Sequence, residues 1–272
     1  RACEAAAAGR HNLLLFGPAG TGKTMAARRL PTILPPLDLE ERLQVSGVYS
    51  ICGLLTQKEP LIRSRPFRSP HHGTTPQAMA GGGKGPKPGE VSLATQGILF
   101  LDELAEFHPQ VLDLLREPME EGSITVSRMN GALVFPADAL VVAAMNPCKC
   151  GFYPDMARCR CTPAQIRRYL SRVSGPFLDR IDIGVEVPRQ DLTQESLREK
   201  GESSAVMRGR VERAVRRQRE RFANTGISCN GRMGRRQIEE FCALGAKEEA
   251  LLDAICQNQN LSLRGRMKLL KV

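Results

Sequence analysis

The sequence predicts an α/β fold: a central, mostly parallel sheet flanked by helices, followed by a small all-helical domain. Three observations predict it. An apolar run, Asn12–Phe16, leads through a glycine-rich loop into a helix-forming stretch. Two further apolar runs, Gly97–Leu101 and Leu140–Met145, each end in polar residues, as buried parallel strands do at the edge where ligands bind. From Ser204 onward only helical periodicity is found.

The loop is Gly17-Pro18-Ala19-Gly20-Thr21-Gly22-Lys23-Thr24. Its glycines let the backbone curl so that N–H groups point at a phosphate chain, and the following helix adds its positive end. Lys23 is expected to reach the β- and γ-phosphates of ATP, and the Thr24 hydroxyl to help hold Mg²⁺. A glycine-rich turn that merely contains Lys is the competing reading.

The chain has 272 residues, 42% of them hydrophobic, enough for a sizeable core and more than one packing unit. No run approaches the ~20 apolar residues of a membrane span. The net charge of +10 invites a polyanionic partner, nucleic acid first, with an acidic protein surface as the alternative. Aromatic residues are only 4%, with no Trp, so phosphate contacts are a better expectation than base stacking. Nine cysteines beside a nucleotide loop suggest a reducing compartment, the cytoplasm.

Taken in order, residues 1–188 read as the nucleotide-binding core, 189–203 as a polar linker and 204–272 as the helical domain. Arg1–Ala8 reads as an internal helix, not a secretory signal, ending near Gly9. After the loop its helix runs to about Leu30, and Asp38–Val45 suggests a short helix. Residues 56–90 form a long basic insert rich in Pro and Gly. It is expected either to present Arg68, Lys84 and Lys87 to a partner or to be a solvated linker. His71-His72 reads as a polar contact or turn.

Asp102 and Glu103 close the second strand. Asp102 is expected to meet the Mg²⁺ shell and Glu103 to polarise the attacking water. A helix follows over Pro109–Gly122. Residues 123–136 read as a hairpin, because Asn130-Gly131 is a tight-turn signal between β-rich arms, with Arg128 near the tip. Asn146 closes the next strand, placed to sense the γ-phosphate; starting an Asn-Pro turn is its plainer role.

Residues 148–161 hold Cys148, Cys150, Cys159 and Cys161. Four thiolates this close suit a tetrahedral Zn²⁺; free thiols or a redox clip are the alternatives, since the spacing is CxC and not CxxC. A basic helix, Gln165–Arg172, and a turn with the last strand over Phe177–Pro188 complete the core. Helices follow over Gly234–Leu244, Ala246–Asn258 and Leu261–Val272. Ser262 is the candidate N-cap of the last, which puts Arg264 in its first turn.

The loop, Leu101-Asp102-Glu103, Asn146, Leu178-Asp179-Arg180 and Ser262-Leu263-Arg264 resemble an AAA+ ATPase in order and spacing. The stretches Arg65–His72, Gly89–Ala94, Ala143–Cys148 and Gln165–Tyr169 are similar to the magnesium-chelatase-like ComM/YifB family. The resemblance implies a P-loop AAA+ core with a helical lid and ATP between them. It implies that Lys23, Thr24 and Asp102 hold phosphate and Mg²⁺, that Glu103 and Asn146 act on the water, that Arg180 is an arginine finger and that Arg264 is a second sensor. It implies a hexameric ring that moves branched or single-stranded DNA as a branch-migration helicase in natural transformation. A chelatase-type subunit remodelling a protein partner, for metal insertion into a porphyrin, is the alternative, and a non-motor switch is a third. The family also carries an N-terminal Lon-protease-like domain and a longer C-terminal domain, so the chain is expected to be an excised core.

Overall fold

The computed structural model describes residues 1–83, 85–128, 131–189 and 201–272. Lys84, Asn130, the side chain of Arg128 and most of the expected 189–203 linker lie outside the described residues.

The core opens with α1 (Ala2–Gly9), β1 (Leu13–Phe16) and α2 (Lys23–Arg29). Next is α3 (Leu39–Ile51), longer than the expected Asp38–Val45. Its start is fixed by a capping box in which the Asp38 carboxylate accepts from the Glu41 N–H and Glu41 accepts from the Asp38 N–H. The insert then contributes β2 (Phe67–Arg68), α4 (Pro76–Ala80), β3 (Gly81–Gly82) and β4 (Lys87–Pro88). It is therefore no structureless loop: β2 joins the main sheet, with Phe67 stacked on Phe100.

Following it are α5 (Glu90–Leu93), β5 (Ile98–Leu101), α6 (Pro109–Leu114) and α7 (Arg116–Glu121). The single helix expected over Pro109–Gly122 is thus two, divided at Leu115. Pro118 lacks an N–H for the helical ladder, which accounts for the break. The hairpin is β6 (Ser123–Arg128) and β7 (Gly131–Pro136), paired antiparallel apart from the main sheet. The core ends with β8 (Leu140–Met145), α8 (Pro163–Leu170), α9 (Gly175–Leu178) and β9 (Ile183–Glu186). The helical domain is α10 (Ser204–Arg221), α11 (Arg235–Phe241), α12 (Ala246–Asn258) and α13 (Leu263–Lys271).

The main sheet has five strands in the order β2-β5-β8-β1-β9, all parallel. Alternation of side chains along each strand divides the core in two. Leu99, Leu101, Val141, Ala143 and Met145 face one layer, with Leu104, Leu112, Leu115 and Phe177. Leu13, Leu15, Ile98, Phe100, Val142 and Ala144 face the other, against α1, Ala27, Leu30 and Val211 of α10. Both faces being covered, β5 and β8 are buried at every residue. This is why their sequences read as unbroken apolar runs.

Candidate functional site

Parallel strands bring their C-terminal ends to one edge, and there β1, β5 and β8 deliver Lys23, Asp102 and Asn146 side by side. The loop turns out of β1 at Gly17, whose N–H donates to the Met145 carbonyl at 3.2 Å. Gly22 ends the loop with φ +86°, a left-handed conformation that a side chain would strain, and α2 begins at the next residue. The Thr21 hydroxyl donates to the Pro18 carbonyl at 3.1 Å, bracing the curl.

Lys23 is buried, with only 7% of its surface exposed. Its ammonium donates to the Gly17 and Pro18 carbonyls at 2.7 and 2.6 Å and to Asn146 Oδ1 at 3.1 Å. Burial lowers its pKa, and the nearby Asp102 carboxylate opposes that. The Thr24 hydroxyl donates to Asp102 Oδ2 at 2.9 Å. A hydroxyl and a carboxylate oxygen this close form the hard-oxygen pair that suits Mg²⁺. The residues present therefore fit a Mg²⁺-bound nucleoside triphosphate.

Glu103 follows directly, in left-handed backbone geometry with φ +53°. That is a costly conformation for a non-glycine residue, and it swings the side chain out of the strand direction. The carboxylate is 57% exposed and lies 3.6 Å from His72 Nε2. His72 belongs to the insert, so the polar contact expected of the histidine pair is with the residue assigned to the water.

Arg180 and Arg264 lie elsewhere. Asn12, just before β1, donates from its side chain to the Arg180 carbonyl at 2.9 Å, which fixes Arg180 at the N-terminal edge of the sheet. Arg180 and Arg264 both reach Glu120 Oε1, each at 2.8 Å. These three side chains line a cleft of about 560 Å³ together with Lys268 and Arg232. The height of the sheet separates them from the phosphate loop. The helical domain is anchored on the same side. Lys268 donates to the Ile181 carbonyl at 2.7 Å and Arg232 pairs with Asp138. The helical domain also packs along a sheet face through α10, where Arg208 donates to the Thr32 carbonyl and Arg210 pairs with Glu4; Arg264, expected to face ATP between core and lid, instead pairs with Glu120 at this edge. Glu120 was missed from the sequence: one acid in a helix end carries no signal until two arginines are seen to share it.

The expected partner-facing role of the insert also changes. Arg68 forms a two-pronged pair with Glu90, both contacts 2.7 Å. Arg65 is buried against Glu41 and the Pro35 and Gln96 carbonyls. Both arginines bind the insert to the core, while Lys87 is exposed. An exposed basic face instead runs along α10, through Arg213, Arg216 and Arg217.

Cys148, Cys150, Cys159 and Cys161 meet, their four sulfurs all within 4.8 Å of one another. All are free thiols. Cys148 and Cys150 sit beside the phosphate loop, on the turn that follows Asn146, and Cys159 and Cys161 lie just before α8.

Comparison with known proteins agrees with this architecture. The family model described as magnesium chelatase, subunit ChlI, matches residues 1–196. Its companion, the ChlI C-terminal model, matches residues 201–272. Uncharacterized protein YifB of Salmonella typhimurium is 46% identical over 279 residues, covering 100% of this chain and 53% of that protein. Competence protein ComM of Haemophilus influenzae is 45% identical over 278 residues, covering 100% of this chain and 52% of its own length. The magnesium-chelatase 38 kDa subunit of Rhodobacter capsulatus is 26% identical over 155 residues, or 50% of this chain and 43% of that subunit. The chain thus spans about half the length of YifB and ComM.

Proposed function

The chain belongs to the magnesium chelatase ChlI family, and on that premise we propose that it is the ATPase core of a ring motor acting on DNA. One observation carries the ATPase reading. Lys23 meets Asn146 and Thr24 meets Asp102 at the shared end of three neighbouring strands. Thr24 and Asp102 would hold Mg²⁺, which would supply positive charge to offset that of the phosphates. Lys23 reaches the β- and γ-phosphates. Asn146 orients, and Glu103 polarises, the attacking water.

No arginine of the cleft at the opposite edge can serve the loop of its own chain across the sheet. A neighbouring copy, packed edge to edge, would bring Arg180 and Arg264 to it. This favours a closed ring, and the hexamer is the form the resemblance implies. Glu120 holds the two guanidiniums together until the neighbour's phosphates replace it. A finger supplied this way accelerates turnover by roughly 10³–10⁵.

The DNA reading rests on the net charge of +10, the exposed arginines of α10 and the hairpin that stands apart from the sheet. Similarity to a competence protein over the whole chain favours a role in natural transformation, for which the family resemblance implies branch migration of DNA. A thiol-rich nucleotide enzyme suits the cytoplasm. Among the described residues no helix is long and apolar enough to cross a membrane. The partial match to a magnesium-chelatase subunit supports a second reading, remodelling of a protein partner for metal insertion. The ATPase rate of the full-length protein, with and without branched or single-stranded DNA at low salt, separates the two. Stimulation that fades as salt rises is expected. A rate indifferent to DNA would favour the protein partner.

A further inference from the structure

We propose that Cys148, Cys150, Cys159 and Cys161 hold one tetrahedral zinc ion, and that this ion braces the phosphate loop. Tetrahedral zinc with Zn–S bonds of ~2.3 Å separates its sulfurs by about 3.8 Å. The sulfurs lie 3.3 Å apart for Cys148–Cys150, 3.8 Å for Cys148–Cys159 and 3.6 Å for Cys150–Cys159. Cys148 and Cys159 are buried with Ile166, and Phe152 and Leu170 pack around them. Thiols packed this closely in apolar surroundings lack good hydrogen-bond acceptors, whereas soft thiolates select zinc over the oxygen-loving ions. Four thiolates and one Zn²⁺ leave two negative charges. Lys149, Arg158 and Arg160, interleaved with the ligands, offset them.

The brace follows from what the same turn touches. The end of β8, Asn146 and this turn together contact the loop at three points. The Met145 carbonyl accepts from the Gly17 N–H, Asn146 accepts from Lys23, and the Gly151 carbonyl accepts from the Ala19 N–H at 2.9 Å. Gly151 has φ +77°, and a Cβ there would lie 2.9 Å from the Ala19 Cβ. Only glycine lets the turn approach so closely. Two ligands, Cys148 and Cys150, sit inside this turn. The other two immediately precede α8, whose start is fixed by the Thr162–Gln165 capping box. A metal joining the pairs therefore ties the loop's backing to a helix seated in the core. Without the ion the four thiols are free and no bond joins the Cys148–Cys150 turn to the pair before α8, so the backing slackens.

The proposal rests on the nucleotide-binding reading, and the test keeps the two apart. Metal content of the full-length protein, purified under reducing conditions, is measured by elemental mass spectrometry. One zinc per chain is expected, and none in Cys148→Ser/Cys159→Ser; zinc-free wild type, or paired disulfides in its place, overturns the metal site. Affinity for a fluorescent ATP analogue is then measured. Stripping zinc with a chelator is expected to weaken it by about fivefold, the worth of one hydrogen bond, and reloading zinc to restore it. Gly151→Ala should keep its zinc yet lose a similar factor. Unchanged affinity in stripped protein and Gly151→Ala alike overturns the brace. Lys23→Ala should lose nucleotide with zinc intact. Wild type that holds zinc but binds no nucleotide would sink the functional reading and leave the metal site standing. Circular dichroism of every variant separates unfolding from these outcomes.

Discussion

Lys23 and Glu103 stand on opposite sides of the same expected chemistry, one holding phosphate and the other the water. Replacing Lys23 by Ala removes a buried ammonium with three oxygen partners, so nucleotide binding should vanish in an equilibrium binding assay. Glu103→Gln keeps the shape and the exposed position but not the base. Nucleotide affinity should survive while turnover falls by about 10²–10⁴. Equal loss of affinity and rate in Glu103→Gln would remove its assignment to the water. The positions of Lys23, Thr24, Asp102 and Asn146 were legible in the sequence because Asp102 and Asn146 directly follow strands and Lys23 and Thr24 open the helix after the glycine-rich loop, where chain order fixes position. Glu120 and the pairing of Arg68 with Glu90 were not, because they join residues remote in sequence.

At the scale of elements, caps decide where the helices that carry functional side chains begin. The Ser262 hydroxyl accepts from the Gly265 N–H, as an N-cap should, and starts the helix bearing Arg264. Ser262→Ala should cost about 1 kcal/mol in denaturant unfolding. It should also lower the ATPase rate of the assembled protein without changing the affinity of a single chain for nucleotide. Asp138, just before β8, is the knot between core and helical domain. Burial pushes its pKa up, but the Arg10 and Arg232 guanidiniums outweigh that and hold it below the usual range. A depressed carboxylate pKa stabilises the fold fully above the unfolded value, near 3.9, and the benefit is lost as pH falls through the folded value. Asp138→Asn should therefore be less stable than wild type at neutral pH. The gap should close in acid below that range; a gap independent of pH would mean that the charge contributes nothing.

At the scale of the whole molecule, the phosphate loop and the two arginines occupy opposite edges of one sheet. An isolated chain should bind nucleotide and hydrolyse it slowly, with the rate per chain rising with concentration as copies associate. Mixing Arg180→Ala with Lys23→Ala should recover part of the activity. In a mixed assembly, an intact loop on one chain meets an intact Arg180 on the next. Mixtures as inactive as their components would show that the sites are not shared.

The sequence by itself determined the α/β class, the glycine-rich loop that ends in Lys23, the strands that lead into Asp102 and Asn146, the cysteine spacing and the N-cap of the last helix. All of these are local: a strand, a turn and a spacing place them before the chain closes on itself. Only the tertiary structure decided where the helical domain rests, that Arg65 and Arg68 bind inward, and that the cysteine turn backs the phosphate loop. Those depend on which surfaces bury one another. The Glu120–Arg180 and Asp138–Arg232 pairs, and the Gly151–Ala19 contact, join distant parts of the chain. Their closeness is set by the packing of the two cores, which local periodicity does not encode.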